Sequence, residues 1–251
     1  PPDGPLRQIS IQHIRLLKEQ SQLKPLRGDR RVFLIDHLDR ANEQAANSLL
    51  KLLEEPPPHL IVIATAENLY DLLPTIRSRS IVMSLARLSE AEMREFVDSR
   101  DFPDPDLRVA LAEGCPGLAS RLDLKEYQER RAVMLALFES AAGVAPFGSW
   151  VQKSESFASR KTEKLEFYLK TAYGLLEDLL LIWQGQTAVK NHDIQAPLSA
   201  IAERVNFRWL EEAVKAMDEL AMMVRRNIQK IIVLDAIIMN LRNLVERSNA
   251  Y

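Results

Sequence analysis

Residues Val32 to Pro57, V-F-L-I-D-H-L-D-R-A-N-E-Q-A-A-N-S-L-L-K-L-L-E-E-P-P, limit the possible folds more than any other stretch. Val32 to Ile35 form an unbroken apolar run, the pattern of a parallel strand covered on both faces. Asp36 follows at the carboxyl end of that strand, where open α/β sheets place their ligands. Ala45, Ala46, Leu49, Leu50, Leu52 and Leu53 then recur at helical spacing, predicting a helix over Ala41 to Leu53. Pro56 to Pro58 end it, since proline has no N–H to continue the ladder. A second apolar run, Leu60 to Thr65, predicts the next strand. A strand–helix–strand unit implies a parallel, right-handed crossover, which puts Asp36 and Thr65 on the same edge of one sheet.

Around this unit the chain punctuates itself clearly. Ile9 to Gln20 carries Ile9, Ile11, Ile14, Leu16 and Leu17 among polar residues and reads as an amphipathic helix. A third short strand is expected near Ile81 to Leu85. Ser89, with Glu92 three residues later, has the spacing of a capping box that opens a helix. Asp104 to Glu113 is a further helix, Gly114 to Gly117 a turn, and Leu118 to about Ala142 another helix. Gly143 to Phe147, with Pro146, reads as a linker. Beyond it the pattern is helical: Leu165 to Gln184, a break over Gln186 to Pro197, Phe207 to Leu220, and Ala221 to Arg247. The fold class is therefore α/β followed by all-α, with divisions expected at 1–85, 86–145 and 146–251, the last a helical bundle.

The 251 residues suffice for two or three compact domains. The net charge of −2, with 33 basic and 35 acidic side chains interspersed, gives no broad electrostatic footprint for nucleic acid. One cysteine, Cys115, excludes an internal disulfide and fits a reducing compartment. The richest apolar stretch, Ile228 to Val245, is broken by Lys230, Asp235 and Arg242, so no membrane span is expected and the default location is cytoplasmic. His13, His37, His59 and His192 share no metal-ligand spacing, and no metal site is expected.

The Val32–Pro57 block, L-I-V-I-A-T-A-E-N at Leu60 to Asn68 and L-P-T-I-R-S-R-S at Leu73 to Ser80 together resemble the clamp-loader branch of the AAA+ family. The resemblance is strongest over Ile9 to Ile81. It implies a partial AAA+ α/β domain, a helical lid and a helical collar. It also implies that Asp36 and Thr65 belong to a vestigial nucleotide site, as the Mg²⁺-site acid and the sensor, and that Arg79 in Ser78-Arg79-Ser80 is an arginine finger acting in trans. Two departures point away from hydrolysis: His37 stands where a second acid is usual, and Gly117 falls where a lid-helix arginine is usual. No phosphate-loop pattern occurs, and its family position lies upstream of Pro1, so the chain is expected to start inside the domain. The implied function is a stator-like subunit of a DNA polymerase III clamp loader, not catalytic by itself. It would hold no cofactor in this chain, with ATP held by a neighbouring subunit. The implied partners are other clamp-loader subunits (gamma/tau, delta), and through them the sliding clamp and primed DNA.

Each residue also has a plainer reading. Asp36 can cap a turn, Thr65 can be an ordinary β-branched strand-end residue, and Arg79 can be a solvated surface charge. His37 reads as a turn residue, Arg77 as a surface or interface charge, and Lys51, Glu54 and Glu55 as the polar face and end of a helix. Arg225 and Arg226 could meet phosphates but also read as solvated, and Trp150, Trp183 and Trp209 as core or inter-subunit anchors. Alternatives for the whole chain are an active gamma/tau-type ATPase, a AAA+ helicase motor, and an interaction module with a decayed site. Turnover by the isolated full-length chain favours the first, and hexamers with DNA-stimulated turnover the second.

Overall fold

The computed structural model describes residues 8–159, 165–223 and 229–248, with the side chains at 156–159 and 247–248 left aside. The chain is helix-rich, carries one two-stranded parallel sheet, and divides into two compact units, Pro1–Leu85 and Ala86–Tyr251.

In the first unit, α1 (Ile11–Ser21) begins after Ser10, whose backbone N–H donates to His13 Nδ1 at 3.0 Å. Ile9 stays outside the helix because it forms a parallel bridge with Ala41. That bridge also takes Ala41 out of α2 (Glu43–Glu54), whose cap is Asn42, accepting from the Ala45 N–H at 2.8 Å. β1 (Arg31–Ile35) and β2 (Leu60–Ala64) pair in parallel, from Arg31 opposite Leu60 to Ile35 opposite Ala64. Ala45, Leu49 and Leu52 of α2, Ile14 of α1, Ile35, Leu60 and Ile76 form one buried core. A short helix, α3 (Pro74–Arg77), closes the unit, with Ile76 pinned in that core.

Two expectations for this sheet are corrected. The strands are covered on one face only: Val32 is 56% and Leu34 69% exposed, and Ile61 and Ile63 are exposed beside them. Side chains alternate across a strand, so one face meets the helices while, among the described residues, no element covers the other. Ile81 to Leu85 forms no third strand; Ile81 and Leu85 are each 94% exposed. A strand exists only with a partner edge, and among the described residues this segment pairs with none.

In the second unit, α4 (Glu90–Asp98) starts at the expected capping box, with the Ser89 N–H donating to Glu92 Oε2 at 2.8 Å and the Glu92 N–H to Ser89 Oγ at 3.3 Å. With α5 (Pro105–Ala112) and α6 (Pro116–Arg121) it encloses a small core of Met93, Val97, Val109, Ala112 and Ala119. The helix expected from Leu118 to Ala142 is two helices, because Asp123 leaves helical geometry and caps α7 (Leu124–Ala141) by accepting from the Glu126 N–H at 3.0 Å. Where a linker was expected, Phe147 opens α8 (Phe147–Ser159). α9 (Leu165–Trp183), α10 (Gln195–Ala202), α11 (Phe207–Met223) and α12 (Lys230–Ser248) complete the bundle. Part of the expected helix Ala221 to Arg247, including Arg225 and Arg226, lies outside the described residues. Pro197 sits in the first turn of α10, where its missing N–H has no intrahelical acceptor to lose.

The C-terminal half of α7 contributes Met134, Leu137 and Phe138 to the large core, together with Trp150, Tyr168, Leu175, Leu198 and Trp209. The loop between α9 and α10 is held by a buried polar network. Asp178, fully buried, accepts from the N–H groups of Lys190 (2.8 Å) and Asn191 (3.0 Å) and from Asn191 Nδ2 (2.7 Å). Asn191 Oδ1 in turn accepts from Tyr127 and Arg131, so every buried polar group there has a partner, as burial requires. No described helix is long and apolar enough to cross a membrane.

Among the described glycines, Gly114 is the one at which an added side chain meets backbone at under 3 Å. Its φ is +78°, and an added Cβ would lie 2.5 Å from the Leu88 carbonyl oxygen and 2.8 Å from Arg87 Cβ. Gly114→Ala is expected to destabilise the second unit by at least about 1–3 kcal/mol, the cost of the backbone conformation alone. Urea denaturation of the intact chain measures it.

Candidate functional site

The parallel register that ends with Ile35 opposite Ala64 makes the next residues of the two strands neighbours. Asp36 and Thr65 are joined directly: Thr65 Oγ1 donates to Asp36 Oδ1 at 2.6 Å. The same hydroxyl accepts from the His37 N–H at 3.0 Å, and the Thr65 carbonyl accepts from the Leu38 N–H at 2.8 Å. Thr65 therefore closes the turn after β1. His37 adopts the left-handed conformation, φ 55°, which the turn requires and which is uncommon for a residue with a side chain.

The charges follow from this geometry. The Thr65 hydroxyl holds the Asp36 carboxyl below its ordinary value, against the opposing effect of desolvation and with lesser help from the neighbouring His37 and Arg40. The imidazole of His37 lies between two carboxylates, Nδ1 3.5 Å from Glu67 Oε1 and Nε2 4.0 Å from Asp36 Oδ2. Arg40 reaches the same Glu67 oxygen at 3.1 Å. A cavity of about 240 Å³ opens beside Asp36, walled by Ile9, His13, Ile14, Leu17, Leu34 and Ile35. Among the described residues no cluster of three acidic, histidine or cysteine side chains could hold a metal ion.

A hydrogen bond to the ionised carboxylate stabilises the fold above the ordinary carboxyl pKa, and this contribution fades as pH falls through the lowered folded value. Thr65→Val removes the donor. Its expected result is a rise of the Asp36 pKa towards 3.8, read by carbon-detected NMR titration.

Arg79 is placed separately from that pair. α3 ends at Arg77, and the Arg79 N–H bonds the Ile76 carbonyl at 3.1 Å, continuing the turn. Its guanidinium reaches back: Nη1 donates to the Thr75 carbonyl at 3.1 Å and to Ser78 Oγ at 3.3 Å, while Nη2 lies 2.8 Å from Glu54 Oε1 at the end of α2. Arg77 lies over the ring of Tyr70, 5.5 Å from its centre. Gly117 is inside α6 of the second unit. Trp150 and Trp209 are buried core residues, while Trp183 is half-exposed against Phe207.

Sequence reasoning missed two participants. Glu67 sits two residues beyond Thr65, and only the turn geometry of β1 brings His37 and Arg40 onto it. Glu54 reads as a helix-end charge, and nothing in its spacing signals Arg79. Both pairings join segments more than twenty residues apart, beyond the reach of periodicity.

The family model described as "DNA polymerase III, delta subunit" matches residues 3–89. The delta-prime subunit of DNA polymerase III from Bacillus subtilis is 30% identical over 141 residues, 55% of this chain and 42% of that protein. The delta-prime subunit of Pseudomonas aeruginosa is 34% identical over 110 residues, 42% of this chain and 33% of that protein. A gamma/tau subunit from Mycobacterium tuberculosis is 37% identical over 70 residues, 28% of this chain and 12% of that protein. The crystal structure of a DNA polymerase III gamma subunit-related protein from Thermotoga maritima overlaps with a TM-score of 0.48 at 20% identity, covering 96% of this chain and 81% of the other. The chain spans less than half the length of either delta-prime relative. By the family model and the two delta-prime relatives, the chain is similar to the clamp-loader family of DNA polymerase III, on the delta-prime side of it.

Proposed function

We propose that this chain acts as a stator-like, non-hydrolysing subunit of a DNA polymerase III clamp loader, working in the cytoplasm. Its partners are gamma/tau and delta subunits, through which it helps to place a sliding clamp on primed DNA. The observation that carries the non-hydrolysing reading is the turn after β1. The position beside Asp36 that would hold a second acid is His37, and its imidazole lies between Asp36 and Glu67 instead of leaving a carboxylate to polarise water. Asp36 and Thr65, bonded to each other, form a vestigial nucleotide site that turns nothing over.

Arg79 supplies the chemistry, to a neighbour. It stands just past α3, its side chain 36% exposed, and a planar guanidinium there can meet the γ-phosphate of ATP held by the adjacent subunit. Residues 86–145 serve as the lid and residues 146–251 as the collar that holds subunits together. The test is ATP turnover and clamp loading by the complex reconstituted from the same organism, with wild-type or Arg79→Ala subunit. Unchanged rates in a complex that still assembles overturn the finger, and failure of the wild type to join overturns the clamp-loader reading.

A second reading, an active gamma/tau-type ATPase, is favoured by the match to gamma/tau subunits over 70 residues. It requires ATP turnover by the isolated full-length protein, whereas the leading reading requires none.

A further inference from the structure

Two motifs on which the sequence reading rests touch each other: the helix ending in Glu54-Glu55-Pro56-Pro57, and Ser78-Arg79-Ser80. We infer that Glu54 is a positioning residue for Arg79, parking its guanidinium against the end of α2 until a neighbouring subunit presents an anion. The inference rests on the finger reading of Arg79 and adds a device that regulates it.

The geometry supports a parking contact rather than a structural bridge. Both ends are fixed by the same core: Leu52 of α2 and Ile76 of α3 are buried in it, so the two side chains leave rigid backbone at set positions. The guanidinium is spread over three acceptors, Glu54 Oε1, the Thr75 carbonyl and Ser78 Oγ, which holds it in one orientation. Yet the pair is open to solvent, with side-chain exposures of 36% for Arg79 and 45% for Glu54. An exposed ion pair contributes little, so it biases the arginine without locking it. A phosphate oxyanion offers more charge and a bidentate fit to the guanidinium fork, and it displaces a single carboxylate oxygen. Glu55, next along the chain, carries the same charge, is exposed, and makes no ion pair among the described residues, so it serves as the control.

The test uses the reconstituted complex with clamp and primed DNA, and measures turnover against ATP concentration. The subunits compared are wild type, Glu54→Gln, Glu54→Asp, Glu55→Gln, Arg79→Ala, and Glu54→Gln combined with Arg79→Ala. Releasing the parked arginine is expected to lower the KM for ATP by about twofold to fivefold, the size of an exposed ion pair, with kcat nearly unchanged. Glu54→Asp should return part of the way to wild type, Glu55→Gln should match wild type, and Glu54→Gln should add nothing once Arg79 is alanine. If Arg79→Ala slows turnover but Glu54→Gln leaves KM unmoved, or moves it no more than Glu55→Gln does, the parking role is overturned while the finger stands. If Arg79→Ala changes nothing, the finger reading falls and the parking role falls with it. Thermal melting of each subunit alone shows that the variants are folded.

Discussion

In the assembled complex, Arg79→Ala is expected to slow ATP turnover at the neighbouring site by about 10³- to 10⁵-fold, the contribution of an arginine that meets developing charge in phosphoryl transfer. The size of the effect comes from where the charge appears. A guanidinium within reach of the γ-phosphate acts in a site from which much of the water is excluded, so removing it costs far more than removing a solvated surface charge. The subunit itself should be unharmed. Arg79 is partly exposed, its ion pair with Glu54 lies at the surface, and Ile76, which anchors this end of the chain to the core, is untouched. Arg79→Lys separates the finger from simple charge: lysine keeps the positive charge but loses the planar fork, and should recover only a small part of the rate. Single-turnover kinetics with matched amounts of assembled complex, checked by gel filtration, measure both variants. A loss of less than tenfold for alanine contradicts the assignment.

The second large effect concerns stability. Trp209→Ala is expected to destabilise the bundle by about 3–5 kcal/mol, because it empties a large site in a packed core. Trp209 is 1% exposed and meets Phe138 edge to face, ring centres 6.2 Å apart and planes at 70°. Its indole N–H has no hydrogen-bond partner among the described residues, so Trp209→Phe loses volume but no polar contact. Trp150 is the contrast. It too is fully buried, but its N–H donates to Asp235 Oδ1 at 2.6 Å, joining α8 to α12. Trp150→Phe leaves that carboxylate without its donor and should cost more than Trp209→Phe, by about 1–3 kcal/mol. Urea denaturation followed by near-ultraviolet circular dichroism ranks the variants. Equal costs for the two phenylalanine substitutions would show that the Trp150 hydrogen bond adds nothing net.

Much of the first unit could be read from local pattern. The apolar run before Asp36, the helical spacing of Leu49 and Leu52, and the prolines after Glu55 specify β1, α2 and its end, because each rests on a period or a missing N–H that acts within a few residues. The capping box at Ser89 and Glu92 is legible for the same reason. What failed was what depends on a second surface. Val32 to Ile35 shows that its residues are apolar, but not that only one of its faces is covered. Ile81 to Leu85 has strand composition but, among the described residues, no partner edge. The division between α6 and α7 turns on one capping aspartate inside an otherwise helical stretch, and α8 follows a glycine–proline segment that reads as a linker.

The candidate site divides along the same line. The chain alone determined that Asp36 and Thr65 end two strands joined by a crossover, because strand period and proline chemistry act locally and a parallel pairing then follows. Only the tertiary structure decided that Thr65 donates to Asp36, that His37 lies between Asp36 and Glu67, and that Glu54 holds Arg79. These contacts join residues brought together by burying Ile35, Leu52 and Ile76 in one core. Burial of apolar surface is non-directional, so the sequence specifies that such a core forms, while the polar groups left at its rim meet only where packing puts them.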